Sequence, residues 1–300
     1  MSDSAASGNP LFEAHPRSFA ENRYVYPVLS RRAGGISIGV NLNADKFCNF
    51  HCVYCQVDRS DPREQQKQAV DVARLSEELD RMVALVASGE IYEAAQFRDT
   101  PPALRRWNDI ALSGDGEPTA YANFEQVAAA CAEVRRRYGN AEVKLVLITN
   151  ASLFHRERVR RALNVLDANG GEIWAKLDAG TEEYYQLVAR SAIPWRQILD
   201  NVRDAAKVRP IVIQSLFMRM RGEPPRPEEL AAYCDRLADI LAAGGRIKLV
   251  QVHTIARKPA ENWVAALSKA EVDAIAGLVH GRTALPVAAF EGEMGGVNSG

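Results

Sequence analysis

Six short apolar runs recur along the chain, at Ile36–Leu42, Asp109–Ser113, Val143–Thr149, Ile173–Asp178, Ile211–Phe217 and Ile247–Thr254. Each is short, rich in branched side chains and bounded by turn residues, which predicts a β-strand. Between them lie patterns of helical period. Val72, Leu75, Leu79, Met82 and Val86 repeat at three- and four-residue spacing, and comparable stripes cover 123–138, 157–168, 182–189, 195–207 and 228–243. Strand followed by helix, six times over, predicts a parallel sheet with right-handed crossovers, whose natural closure is a partial (β/α)6 TIM-like barrel. Ser268-Lys269-Ala270-Glu271 reads as a capping box that opens one last helix. The pattern divides the chain into a flexible polar extension (1–22), a core barrel (23–257) and a C-terminal helix with a glycine-rich tail (258–300). That tail either frays or folds over the barrel mouth as a lid.

Composition narrows the class. Three hundred residues with 47% apolar content can bury a large core, and no run approaches the ~18 apolar residues of a membrane span. The formal net charge is −1, so nucleic acid would have to be held by a local patch rather than by a basic body. An odd cysteine count and no secretory segment place the chain in a reducing cytoplasm.

The chemistry concentrates in one loop. Just after the first predicted strand stand Cys48, Cys52 and Cys55, spaced C-x3-C-x2-C. Three thiolates hold three corners of a cubane iron–sulfur cluster and leave one iron open for chemistry. A zinc site would need a fourth ligand, for which His51 is the nearby candidate, and zinc cysteines usually come as two separated pairs. Cys131 and Cys234 lie in apolar helical stripes and read as core thiols. In parallel α/β folds the functional loops follow the carboxyl ends of strands. After the second strand comes Ser113-Gly114-Asp115-Gly116-Glu117-Pro118, where glycines permit close backbone approach and Glu117 offers a carboxylate suited to an ammonium group; the alternative is an ordinary tight turn. Later strand ends carry Asn150, Lys176, Asp178, Gln214 and His253, either as ligand contacts or as solvated turn residues. Arg31 and Arg32 either clasp a substrate carboxylate or phosphate, or form a solvated pair; with Lys46, Arg219, Arg221 and Arg257 they would make a basic rim.

The cysteine loop closely resembles the signature of the radical S-adenosylmethionine (radical SAM) superfamily, and Gly114–Pro118 resembles its "GGE" segment, with Asp115 in place of a small residue. Tyr26-Pro27-Val28-Leu29-Ser30-Arg31-Arg32, Gly39-Val40-Asn41-Leu42, Cys52-Val53-Tyr54-Cys55-Gln56, Thr149-Asn150-Ala151-Ser152 and Leu177-Asp178-Ala179-Gly180-Thr181 look like the iron–sulfur oxidoreductases related to the wybutosine tRNA-tricycle synthases. Ala151 stands where that group typically has glycine, and neither a second set of cluster cysteines nor a flavodoxin-like domain is present.

The resemblance implies a partial TIM-like barrel, a [4Fe–4S] cluster on the three cysteines, and S-adenosylmethionine gripped through the Gly-Glu turn. Asp178 or Lys176 would face the ribose. Tyr54 would touch the adenine by stacking or through its backbone, unless it only packs the loop. Reductive cleavage to a 5′-deoxyadenosyl radical would follow, driven by an external reductant such as flavodoxin or ferredoxin. The neutral chain favours a small-molecule or peptide substrate, and the group resemblance a tRNA. A cluster-bearing electron-transfer or sensor protein is the non-enzymatic alternative, against which the Gly114–Pro118 turn argues.

Overall fold

The computed structural model describes residues 19–30, 34–43, 45–57, 69–138 and 142–291. Eight strands form one sheet in the order β1 (Val25–Ser30), β2 (Gly35–Val40), β3 (Trp107–Leu112), β4 (Lys144–Thr149), β5 (Gly171–Lys176), β6 (Ile211–Leu216), β8 (Ile247–His253) and β10 (Val287–Phe290). All neighbours run parallel except β1 with β2. A two-residue pair, β7 (Arg219–Met220) with β9 (Val264–Ala265), stands apart. The helices are α1 (Val72–Ser88), α2 (Phe124–Arg137), α3 (Glu157–Ala168), α4 (Glu182–Ala189), α5 (Trp195–Val208), α6 (Pro227–Ala242) and α7 (Lys269–Thr283). The partial TIM-like barrel is thus observed, with an added strand at each edge.

Alternation along the strands sorts residues between two surfaces. Ile36, Ile38, Val40, Ile110, Leu112, Leu145, Leu147, Ile173, Ile211, Ile213, Val250 and Val252 face the helices in one continuous core. The opposite surface is the barrel interior. Its middle is a small apolar layer of Ala111, Val146, Trp174 and Val212. At one end Glu172 accepts from Lys144 Nζ (3.0 Å) and Lys248 Nζ (2.6 Å), an ion-pair plug whose carboxyl those two ammoniums hold below its usual range despite burial.

The N-terminal strand has its own anchor. Glu78, buried on α1, accepts from the backbone N–H groups of Arg23 (2.9 Å), Tyr24 (2.8 Å) and Val25 (3.2 Å) and pairs with Arg74. At the other end α7 begins with the capping box expected from Ser268 and Glu271. The next turn leads into β10, so Phe290, assigned to the tail by its sequence, is a strand residue stacked on His253 at 4.7 Å. Most of the expected extension (1–18), Arg31, Arg32 and 292–300 lie outside the described residues.

Candidate functional site

The cysteine loop leaves the carboxyl end of β2 and is bound on three sides. His51 N–H donates to Ala189 O (3.0 Å) and Val53 N–H to Val188 O (2.9 Å), which seats the loop on the end of α4. Asn49 donates to Ser152 Oγ and accepts from Asn150 Nδ2, both at 2.8 Å, which ties it to the turn after β4. Cys55 O accepts from Ala260 N–H at 2.7 Å, which ties it to the segment after β8. Backbone strain gathers here: of the six described non-glycine residues with positive φ, Lys46, Ala151, Arg190 and Arg221 belong to the loop or to segments packed on it. At Ala151 the φ of 58° explains why glycine suits that turn.

The glycine-rich turn after β3 interlocks with the loop's entry. Asn41 Nδ2 donates to Asp115 Oδ2 (2.7 Å), and Asp115 N–H donates to Asn41 Oδ1 (3.0 Å). A side chain longer than glycine's at 115 therefore earns its place by pairing with Asn41. Gly116 is different, because a Cβ there would lie 1.8 Å from Phe47 O, the carbonyl just before Cys48.

Glu117 departs from expectation. Its carboxylate is buried and accepts from Thr119 Oγ1 (2.5 Å) and N–H (3.1 Å), Thr149 Oγ1 (2.7 Å) and Asn150 N–H (2.8 Å). It braces β3 to β4. Burial pushes its carboxyl up, and these donors oppose the shift.

The other expected contacts divide. A cavity of about 420 Å³ occupies the barrel mouth and is lined by Ser113, Lys176, Gln214 and His253 among the expected residues. Tyr54, Gly114, Asp115, Gly116, Glu117, Asn150 and Asp178 are not on its wall. Tyr54 donates its hydroxyl to Asp178, and its ring lies 5.0 Å below Lys176 Nζ. That ring face is covered by an ammonium, so the backbone is what Tyr54 offers a ligand. Asp178 also accepts from Leu216 N–H at 2.8 Å, which fixes it between the loop and β6. Gln56, Asp109 and Arg257 line the cavity without having been singled out for it. Gln56 follows Cys55 directly, and its amide donates to Arg257 O at 3.3 Å, so loop and cavity share a wall.

The donor set suits the implied cofactors. Cys48 Sγ accepts from Phe50 N–H at 3.5 Å, the kind of contact that tunes cluster sulfurs. Burial, then Asp178, push the Cys52 thiol up to about 12, with Cys48 and Cys55 adding to the effect and Lys176 opposing it. A thiolate there depends on a metal's compensating charge. Among the described residues no three His, Cys, Asp or Glu side chains gather as ligands of a single ion; a cubane gives each thiolate an iron of its own and asks for wider spacing. Asn43 Oδ1, at the junction of loop and turn, is buried with no hydrogen-bond partner, an acceptor suited to a ligand's ammonium. Cys131 and Cys234 are buried in the core, and burial pushes Cys131 up to about 12, as inert thiols require.

A family model described as the radical SAM superfamily matches residues 43–234, well over half of the chain. The chain belongs to the radical SAM superfamily. Members carry a [4Fe–4S] cluster and S-adenosylmethionine, the two cofactors that the loop and turn imply. Among curated relatives, this radical SAM chain is 30% identical over 180 residues to a UPF0026 protein of Synechocystis sp., covering 59% of the chain and 57% of the relative. It is 28% identical over 142 residues to a UPF0026 protein of Helicobacter pylori, covering 47% of the chain and 39% of the relative. The chain thus spans between two fifths and three fifths of the length of these relatives. Streptococcus suis SuiB, solved bound to S-adenosylmethionine, shares the fold at TM-score 0.53 and 13% identity, over 81% of this chain and 48% of that one. TYW1 with a lysine-pyruvate adduct bound aligns over 82% of this chain and 73% of that one at TM-score 0.49 and 16% identity.

Proposed function

We propose that the chain is a radical SAM enzyme acting on a small molecule or a peptide segment. The observation that carries this reading is the shared wall of loop and cavity, where Gln56 follows Cys55 and the barrel mouth opens beside it. Cys48, Cys52 and Cys55 would hold the [4Fe–4S] cluster, and S-adenosylmethionine would meet it beside the Gly114–Glu117 turn. Together these groups supply reductive cleavage to methionine and a 5′-deoxyadenosyl radical that abstracts a hydrogen atom from substrate. The chain's own residues bind and enclose. Asn43 and the turn's backbone take the ammonium, while Lys176, Gln214 and His253 set the polar wall on which the rest of the ligand lies. About 420 Å³ falls within the range of small-ligand pockets.

The group resemblance supports a second reading, a tRNA substrate. Against it, Arg257 is the one described member of the expected basic rim that lines the cavity, while Arg219 is paired with Glu271 at 2.6 Å. At net charge −1, tRNA should bind no tighter than the non-specific range, about 10⁻⁴ to 10⁻⁶ M at physiological salt. A tRNA titration checks this, and submicromolar binding puts the RNA reading first. The cofactor reading is tested separately, by adding S-adenosylmethionine to the anaerobically reconstituted, reduced protein. The electron paramagnetic resonance signal of the cluster should change on binding, and an unchanged signal at saturating ligand contradicts it.

A further inference from the structure

The cysteine loop has a second face, turned away from the cavity. There Val53, Tyr54, Val188, Met218, Ile255 and Val264 form a small apolar cluster, against which Cys52 and Trp263 both pack. Over the Trp263 ring stand two guanidinium groups, Arg190 at 5.7 Å and Arg221 at 5.8 Å from its centroid. Both arginines are exposed, and both hold left-handed backbone, with φ of 46° and 53°. That conformation favours glycine or asparagine and costs an arginine about 1 kcal/mol, so the side chain rather than the turn accounts for arginine at each position. Leu187, near the end of α4, is 46% exposed, one of few large apolar side chains so open to solvent. Lys258 is exposed on the segment that bonds to Cys55. Glu261 pairs with Arg190 and accepts from Trp263 Nε1 at 2.8 Å, and Glu223 stands on the β7 turn near Arg221. Arg190, Arg221 and Lys258 outnumber these two carboxylates, which leaves a positive rim around an apolar centre on a chain of net charge −1.

We propose that this flank is the docking surface of an acidic one-electron carrier protein of the flavodoxin kind. The inference rests on the proposed function, which needs an electron from outside the chain. The cavity face has to keep solvent away from a radical, so delivery belongs on the other side of the loop. Trp263 shares an apolar cluster with Cys52, and Ala260 is bonded to Cys55, so a carrier seated here lies one side-chain layer from two of the cluster ligands. In the step itself the reduced flavin loses one electron and the cluster gains it; no bond forms or breaks, and no surface residue gives or takes a proton. A small interface with an aromatic centre and a charged rim suits a transient redox encounter, where complementary charge speeds association.

The test uses the full, anaerobically reconstituted chain with a bacterial flavodoxin as probe. In the variant Arg190→Glu with Arg221→Glu, affinity for oxidised flavodoxin should fall about tenfold or more. Formation of 5′-deoxyadenosine driven by reduced flavodoxin should fall with it, while formation driven by dithionite, which needs no docking site, stays at the wild-type rate. Arg190→Lys with Arg221→Lys should bind nearly as wild type and lose affinity as salt rises. Unchanged flavodoxin affinity in the Glu variant overturns the proposal, as does an equal loss with both reductants. Loss of tRNA binding with flavodoxin binding intact overturns it in favour of a phosphate-binding patch. Should the Glu variant lose its iron, Leu187→Glu with Lys258→Glu removes the same complementarity without touching Trp263, and is read by the same criteria. If wild type makes no 5′-deoxyadenosine even with dithionite, the proposed function fails, and the binding measurement still decides the docking surface.

Discussion

At the residue scale the site separates groups that would ligate metal from groups that shape the place for it. Substituting alanine for Cys48, Cys52 or Cys55 should abolish the brown absorbance near ~400 nm and the iron content, whereas Cys131→Ala and Cys234→Ala should retain both. Iron analysis after anaerobic reconstitution checks this, and full occupancy in Cys52→Ala contradicts it. Gly116 makes a less obvious demand. With a Cβ 1.8 Å from Phe47 O, the turn and the loop cannot both keep their places, so Gly116→Ala should cost cluster occupancy although residue 116 carries no ligand atom. Normal iron content in that variant would show that turn and loop adjust independently. The three cysteines were legible because ligation fixes their spacing along the chain. Their supports were not. Asn49 meets Asn150 and Ser152 about a hundred positions away, a pairing that only the fold creates, and nothing in Glu117's local sequence shows that Thr119, Thr149 and Asn150 claim its carboxylate.

At the element scale, legibility followed burial. The six central strands are apolar runs because helices cover one face, and all six were visible in the sequence. The missed strands are edges. β1 contains Pro27, which argues against a central strand but is tolerated at an edge, and β10 is a four-residue stretch directly after Pro286. β1 is also held by a charge. Burial pushes the Glu78 carboxyl up, but the N–H groups of Arg23, Tyr24 and Val25 and the Arg74 guanidinium outweigh it and hold the group below its usual range. A depressed carboxyl stabilises the fold above its unfolded pKa of ~4.5 and loses that contribution as pH falls through the depressed value. Glu78→Gln should therefore flatten the acid limb of stability below about pH 4.5. Glu78→Ala should destabilise at neutral pH by about 1–3 kcal/mol for each donor left unpaired. Denaturant melts across pH read both effects, and an unchanged acid limb in Glu78→Gln would remove Glu78 as the anchor of β1.

At the scale of the whole molecule, a parallel sheet curls around a polar cavity whose mouth is bounded by the cysteine loop, and no described helix is long and apolar enough to cross a membrane. The arrangement concentrates strain and hydrogen bonds at one end of the barrel and leaves the Glu172 plug at the other. Fold class and cofactor type were legible because both follow from patterns that repeat or ligate. The cavity wall was not, since Gln56, Asp109 and Arg257 come from three separate segments that only the closed sheet brings together. The central claim, that this cavity and loop form one radical-generating site, is tested most directly by incubating the reconstituted protein with S-adenosylmethionine and dithionite and quantifying 5′-deoxyadenosine by chromatography. The account predicts slow, cluster-dependent formation of 5′-deoxyadenosine and methionine even without added substrate, and none in Cys52→Ala. An intact, reducible cluster that leaves S-adenosylmethionine uncleaved would contradict it and favour an electron-carrying or sensing role.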